Sequence, residues 1–386
     1  MGLGALAVLI VTLSIVELVR RRVDPRRLPF WLLLFLAFAS LSIAWSAYPG
    51  ASALGVVLTL ATTSVAAFLA TCLTWEEVLE TFSDTMRWVL GLSLLFEFIV
   101  AAFVRQPVMP PWVDYSDLEK IPKAFYWSRN LLFEGGRIQG IVGNANILGM
   151  LALLALIVFV LRLAARKGSP VWGWAWIVVA VVTLALTRSS TVIVAAAAVV
   201  LVAAFLAIVR STSGRARLAV FVGGIALAIG MGVVAFIARG PLLGLLGKSS
   251  DLTNRLDIWQ TVGDLALQRP VAGWGWVSYW VPWVEPFDDL VVIKGVTYLQ
   301  AHNAWLDVFL QLGAIGVLLF GLLVLGALVR SWGMAAELTR IRYAHAELRR
   351  PENAAPCCCS SLCSCRASPR AGSSSRSASL CSSSSP

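Results

Sequence analysis

Apolar runs of about twenty residues recur along this chain, and a run of that length is what a helix needs to cross a bilayer. In lipid the backbone N–H and C=O groups must be satisfied within the segment, which restricts such runs to helices or closed barrels. Nine runs stand out: 2–19, 28–47, 51–73, 88–104, 147–163, 171–186, 191–209, 218–237 and 305–329. The composition agrees, with 59% hydrophobic and only 13% charged residues. That charged share is about half of the roughly 25% usual in soluble domains. The expected fold is an all-α polytopic integral membrane protein of about nine transmembrane helices.

The formal charge of +10 raises the question of nucleic acid. The Lys and Arg residues lie mostly in loops between apolar runs, so the charge reads as membrane topology and no nucleic-acid partner is expected. Lys and Arg of short loops stay on the cytoplasmic side. Arg20, Arg21, Arg22, Arg26 and Arg27 place the first loop inside. Alternation then puts Arg87, the group Arg162, Arg166 and Lys167, and the group Arg210, Arg215 and Arg217 inside as well. The loop at 74–87 is mainly acidic and votes weakly. The first run lacks a preceding basic region and a small-residue cleavage site, and is expected to be a retained span rather than a signal peptide.

Two long segments fall outside on this scheme, 105–146 and 238–304. Both are too long for simple connections and are expected to be functional extracytoplasmic loops. In the second, Trp274, Trp276, Trp280 and Trp283 suit a segment lying in the headgroup layer. Residues 1–350 are expected to form the membrane domain and 351–386 a disordered Cys/Ser-rich tail. Six of the seven Cys lie in that tail without metal-ligand spacing. A shifted reading frame of a GC-rich gene would generate such a tract from a tenth apolar span, and that is the expectation for it.

The same scheme gathers polar residues at one face. His302, one of only two His, stands at the outer end of the ninth run. Arg188 is alone in a short outer turn, where a cation runs against the usual bias. Arg137 and Arg255 lie in the two long outer segments, with Asp257 two residues beyond Arg255. Three Arg and one His on one face suit a pyrophosphate, because the guanidinium is a permanently charged planar fork for phosphate oxygens. Each residue also has a plainer reading. Arg188 could snorkel to the interface; Arg137 and Arg255 could be ordinary loop cations; His302 could cap a helix end; Asp257 could pair with Arg255 or face solvent.

The flanks of these residues add a resemblance. Ala301-His302-Asn303-Ala304-Trp305, followed by Gly313 and Gly316, resembles the His-Asn…Gly-x-x-Gly signature of the O-antigen ligase and polymerase family of membrane glycosyltransferases. Arg137-Ile138-Gln139-Gly140 leading to Asn144-Ala145-Asn146, Thr187-Arg188-Ser189, and Arg255-Leu256-Asp257-Ile258-Trp259 with Pro270 and Gly273-Trp274-Gly275 are similar to its other motifs. So is Ser42-Ile43-Ala44-Trp45-Ser46. The resemblance spans roughly residues 40–330.

It implies a cell-membrane glycosyltransferase that takes a glycan from a polyprenyl-diphosphate carrier to an acceptor hydroxyl on a glycan, lipid or protein, with its active site facing outside. His302, Arg188 and Arg255 would be catalytic; Arg137, Asn303 and Asp257 would bind substrate. Reaction by direct displacement would be metal-independent and inverting, and no cofactor is expected. Gly313 and Gly316 would let a neighbouring helix approach. A transporter remains the competing class; it would use acids buried within spans, for which Glu17, Glu97 and Asp307 are the candidates. A non-catalytic envelope protein would need none of these groups.

Overall fold

The computed structural model describes residues 2–24, 26, 28–113, 121–122, 125–237, 251–293 and 296–348. The expected tail at 351–386, and residues 238–250 of the second long segment, lie outside the described residues. Each of the nine apolar runs is helical. The helices are α1 (Gly2–Arg20), α2 (Phe30–Leu41), α3 (Pro49–Cys72), α4 (Trp75–Ile99, continued by a π turn at Val100–Val104), α5 (Ala145–Ala164), α6 (Pro170–Thr187), α7 (Ser190–Ser211) and α8 (Gly214–Ile237). A ninth helix, α9 (Asp251–Ala266), lies in the second long segment, and α10 (Ala304–Leu348) closes the described chain. Among the described residues, strand is confined to a small antiparallel pair, β1 (Val292–Ile293) with β2 (Val296–Thr297), beside an isolated bridge between Val108 and Ser128. By contacts the chain divides at Gly333/Met334, and the described part of the second unit is the end of α10.

Among the described residues seven helices are long and apolar enough to cross a membrane. The fold is therefore an all-α polytopic membrane protein. Its outer faces carry apolar side chains into the surroundings, such as Val200 and Leu201 on α7 and Leu227 and Ile229 on α8. Apolar surface on that scale marks contact with lipid.

Two elements differ from the sequence expectation. The second run is a helix of only 12 residues followed by a single 3₁₀ turn, Ser42–Ala44. It stops because Ser42 turns its hydroxyl to the backbone N–H of Trp276 at 2.9 Å, far along the chain. The fourth helix starts thirteen residues earlier than 88 because the acidic stretch is not a loop. Thr74 and Glu77 form a reciprocal capping box. Glu76 then pairs with Lys167 at 2.6 Å and Glu80 with Arg162 at 3.5 Å.

These ion pairs align the start of α4 with the end of α5. At the end of α1, Arg21 pairs with Glu17 at 2.6 Å and donates to the Cys72 carbonyl at the end of α3. The ends of α1 and α3 thus lie together, as do the start of α4 and the end of α5. The turn between α2 and α3, the exit of α4, the start of α5, the α6–α7 turn and the start of α10 are at the other end by alternation. Helices α4, α5 and α6 share one buried cluster built on Leu90, Leu148, Ala152 and Ala180. A second, built on Ile258, Val262, Trp280, Phe287, Ala301 and Leu310, joins α9 to the start of α10.

Candidate active site

The first long segment and the α6–α7 turn meet at the arginines. Asn144 caps α5, its side chain accepting the N–H groups of Asn146 and Ile147. The Asn146 side-chain oxygen Oδ1 faces the turn, where it accepts from Arg137 Nη2 at 2.6 Å and from the Ser189 hydroxyl at 2.8 Å. Arg137 Nε donates to the Thr187 carbonyl at 3.1 Å, and the Ile138 N–H to the Leu186 carbonyl at 3.2 Å. The next residue, Arg188, ends α6 in the left-handed conformation at φ 45°. Its exposed guanidinium lies over Gly135, with Nη2 3.5 Å from where a Cβ would sit. Arg137 is thus bonded to the turn that carries Arg188.

Beside them is a polar cavity of about 160 Å³ bordered by Arg129, Arg137, Gln139, Asn144 and Asn146. Burial, and then the charge of Arg137, hold the Arg129 pKa below its ordinary value. Nothing in the sequence distinguishes Arg129 from other loop cations, and it escaped the motif reading.

The second group is built on α9 and the entry to α10. The Trp259 indole N–H donates to the Ala301 carbonyl at 2.9 Å, and the Ala301 N–H donates to Asp307 Oδ1 at 3.1 Å. Held on both sides, Ala301 presents His302 in the left-handed conformation at φ 52°. Such a φ is uncommon for a side chain with a Cβ. The imidazole is exposed and meets the Tyr298 ring edge-on, with centroids 5.6 Å apart. Partial desolvation, and then the positive charge of Arg255 on α9, lower its pKa below the usual value near 6.5. Asn303 caps α10, its Oδ1 accepting the Trp305 N–H at 3.2 Å. It also borders an open apolar groove of about 560 Å³ with Trp305, Leu306, Phe309 and Leu318. Asp257 is exposed on α9. Among the described residues, no hydrogen bond or ion pair links Arg137 or Arg188 with His302 or Arg255.

The glycines beyond His302 have a different task from the one expected. Helix α10 breaks at Gly313, where φ is 63° and ψ is −162°. The chain at 270–277 enters this break. Trp274 N–H donates to the Leu310 carbonyl at 3.0 Å and Gly275 N–H to Gln311 at 2.9 Å. In return Ala314 N–H donates to Pro270 at 2.8 Å and Ile315 N–H to Val271 at 3.3 Å. A Cβ on Gly313 would collide with the Val271 backbone, and one on Gly273 with that of Gln311. A loop, not a helix, therefore approaches at Gly313; at Gly316 the nearest side chain is Leu312 of the same helix.

The Ser42–Ser46 motif serves the same loop. Trp45 Nε1 donates to the Ala272 carbonyl, Tyr48 to the Gly275 carbonyl and Ala47 N–H to the Trp274 carbonyl. The tryptophans expected in the headgroup layer mostly work here instead. Trp280 is buried, Trp274 bonds to the Leu265 carbonyl and Trp276 stacks edge-on against Phe35; Trp283 is exposed. Among the described residues no group of three or more His, Cys, Asp or Glu converges on a point that could hold a metal.

Residues 175–321 match the family model described as O-antigen ligase. That range contains Arg188, Arg255, Asp257, His302, Asn303 and both helix glycines, and leaves Arg137 outside. The chain is also 30% identical, over 104 residues, to the exopolysaccharide production protein ExoQ of Rhizobium meliloti (strain 1021). This alignment covers 25% of the chain and 24% of that relative. No solved structure matches.

Proposed function

We propose that this chain, which carries an O-antigen ligase domain over residues 175–321, is a membrane glycosyltransferase. It moves a glycan from a polyprenyl diphosphate to an acceptor hydroxyl at the extracytoplasmic face of the cell membrane. The match to the O-antigen ligase family model supports glycan processing in a membrane. The observation that carries the finer reading is the His302 turn. An exposed imidazole feels the positive charge of Arg255, and by the alternation of the helices it belongs to the same end as the Arg137–Arg188 pair.

The chemistry follows from the groups. A neutral His302 removes the proton from the acceptor hydroxyl. The freed oxygen attacks the anomeric carbon from the side opposite the diphosphate, forming the new glycosidic bond as the old C–O bond breaks. The bonding pair leaves with the diphosphate, whose growing charge falls to Arg188 and Arg255, with Arg137 holding the donor. Attack from the opposite side inverts the anomeric centre. A diphosphate is a good leaving group, so the step requires neither a strong protein acid nor a metal. Asp257 and Asn303 are assigned to substrate binding beside these groups. The three acids that a transporter would use are committed elsewhere: Glu17 to Arg21, Asp307 to Ala301, and Glu97 to loop backbone.

The test is transfer from a purified polyprenyl-diphosphate glycan in liposomes, with EDTA present. The parent should transfer, whereas His302→Ala and Arg188→Ala should not. Transfer that survives both substitutions, or that stops with EDTA alone, would refute this mechanism.

A further inference from the structure

Glu97 is a carboxylate inside a membrane-crossing helix, Trp75–Val104, and is only 1% exposed. A charge there demands donors. Its Oε1 accepts the backbone N–H groups of Gln139 and Gly140, both at 2.8 Å. Its Oε2 accepts the Ser128 hydroxyl at 2.8 Å. Ser93 lies one turn earlier on the same face, and its Oγ accepts the next N–H, that of Ile141, at 3.3 Å. Three consecutive backbone N–H groups therefore end on two side chains of α4.

The loop lies tightly on this cradle. Gly140 has φ 61°, and a Cβ there would come within 2.6 Å of Ser93 Cβ. The Ile141 carbonyl takes the Trp127 indole N–H at 2.9 Å. Arg137 stands two residues before the first clamped N–H, and its own guanidinium is shared between Thr187 and Asn146. The same carboxylate, through Ser128, also holds the segment entering the cavity at Arg129.

We propose that Glu97 is a positioning residue for glycan transfer: it folds the first long loop onto α4 so that Arg137 is presented to the donor diphosphate. This rests on the glycosyltransferase reading above. Glu97 touches no substrate, and acts through the Gln139–Ile141 backbone.

The test is a double-mutant cycle with donor kinetics, joined to hydrogen exchange on the purified full chain. Deleting hydrogen bonds to a buried charge should raise the donor KM of Glu97→Ala roughly tenfold or more, with a smaller change in kcat. Arg137→Ala should do the same. The double variant should be no worse than the worse single, because both remove one function. Glu97→Gln keeps an acceptor oxygen for the two N–H groups and should restore most of the loss.

Amide exchange at 138–141 should accelerate in Glu97→Ala and recover in Glu97→Gln. If Glu97→Ala fails to reach the membrane, Ser93→Ala, which loses one bond, carries the same cycle with a smaller rise. Additive losses, or an unchanged donor KM in a variant whose partner Arg137→Ala is impaired, would overturn the proposal while leaving the glycosyltransferase reading intact. A parent chain that transfers nothing would instead count against that reading. Exchange at 138–141 would then judge the clamp alone, and unchanged exchange would overturn it.

Discussion

The indole N–H of Trp259 reaches the carbonyl of Ala301 at 2.9 Å, tying α9 to the residue that precedes His302. Arg255 lies one turn before Trp259 on the same helix, so this bond also sets the distance between the two proposed catalytic groups. Trp259→Phe retains the ring and removes the donor. A hydrogen bond of this kind contributes about 1 kcal/mol. Transfer should fall roughly five- to tenfold with normal membrane levels, checked by liposome assay beside an immunoblot.

The His302 pKa is held below about 6.5, first by desolvation and then by Arg255. As the proposed base, His302 must be neutral, so kcat/KM should be level at pH 7 and fall as the pH drops through that lowered value. Arg255→Ala removes one downward push; its remaining activity should lose its acid limb at a higher pH than the parent. Protonation of His302 also favours the unfolded chain, whose imidazole is the stronger base. Its contribution to stability therefore declines as the pH falls below about 6.5. A pH–rate profile of both proteins checks the shift.

Arg188 ends α6 with an exposed guanidinium over Gly135. If that fork binds paired phosphate oxygens, Arg188→Lys keeps the charge and loses the geometry. Transfer should fall about 10²-fold or more in Arg188→Ala, on the scale of losing one preorganised donor. Arg188→Lys should recover only a minor part. Initial rates at saturating donor distinguish the two.

Gly313→Ala should be the most damaging small substitution in α10. It puts a Cβ into the Val271 backbone at a φ of 63°. Gly232→Ala, with nothing within 4 Å of the new Cβ, should be close to neutral. Thermal unfolding of the two variants in detergent, followed by fluorescence, checks the contrast.

The bilayer makes much of this fold legible, because each crossing must be a long apolar helix whatever its neighbours do. All nine apolar runs are helices, and Arg188 stands at a helix-ending turn as its isolation suggests. What stayed hidden depends on partners distant in sequence. The stretch at 74–87 looked like an acidic loop because Lys167 and Arg162, which neutralise its helix, lie on α5 and just past it. The second run looked long enough to cross because nothing local marks Ser42 as the acceptor for Trp276. Glu97, by sequence only a candidate acid for a transporter, instead holds the N–H groups of residues 139 and 140. At the site, the motif residues point to the two groups, but Arg129 and the use of Gly313 come only from tertiary packing.

The seam at Gly313 has a mechanical consequence. Four main-chain bonds and the Gln311 side chain stitch residues 270–278 into the interrupted helix. Swinging that loop outward would strand its amides and carbonyls in a region with little water, at a cost of several kcal/mol for each group left bare. The loop cannot serve as an opening flap. On the proposed reading, access for bulky reactants would come from elsewhere, while the start of α10 stays fixed by this seam as they arrive and depart.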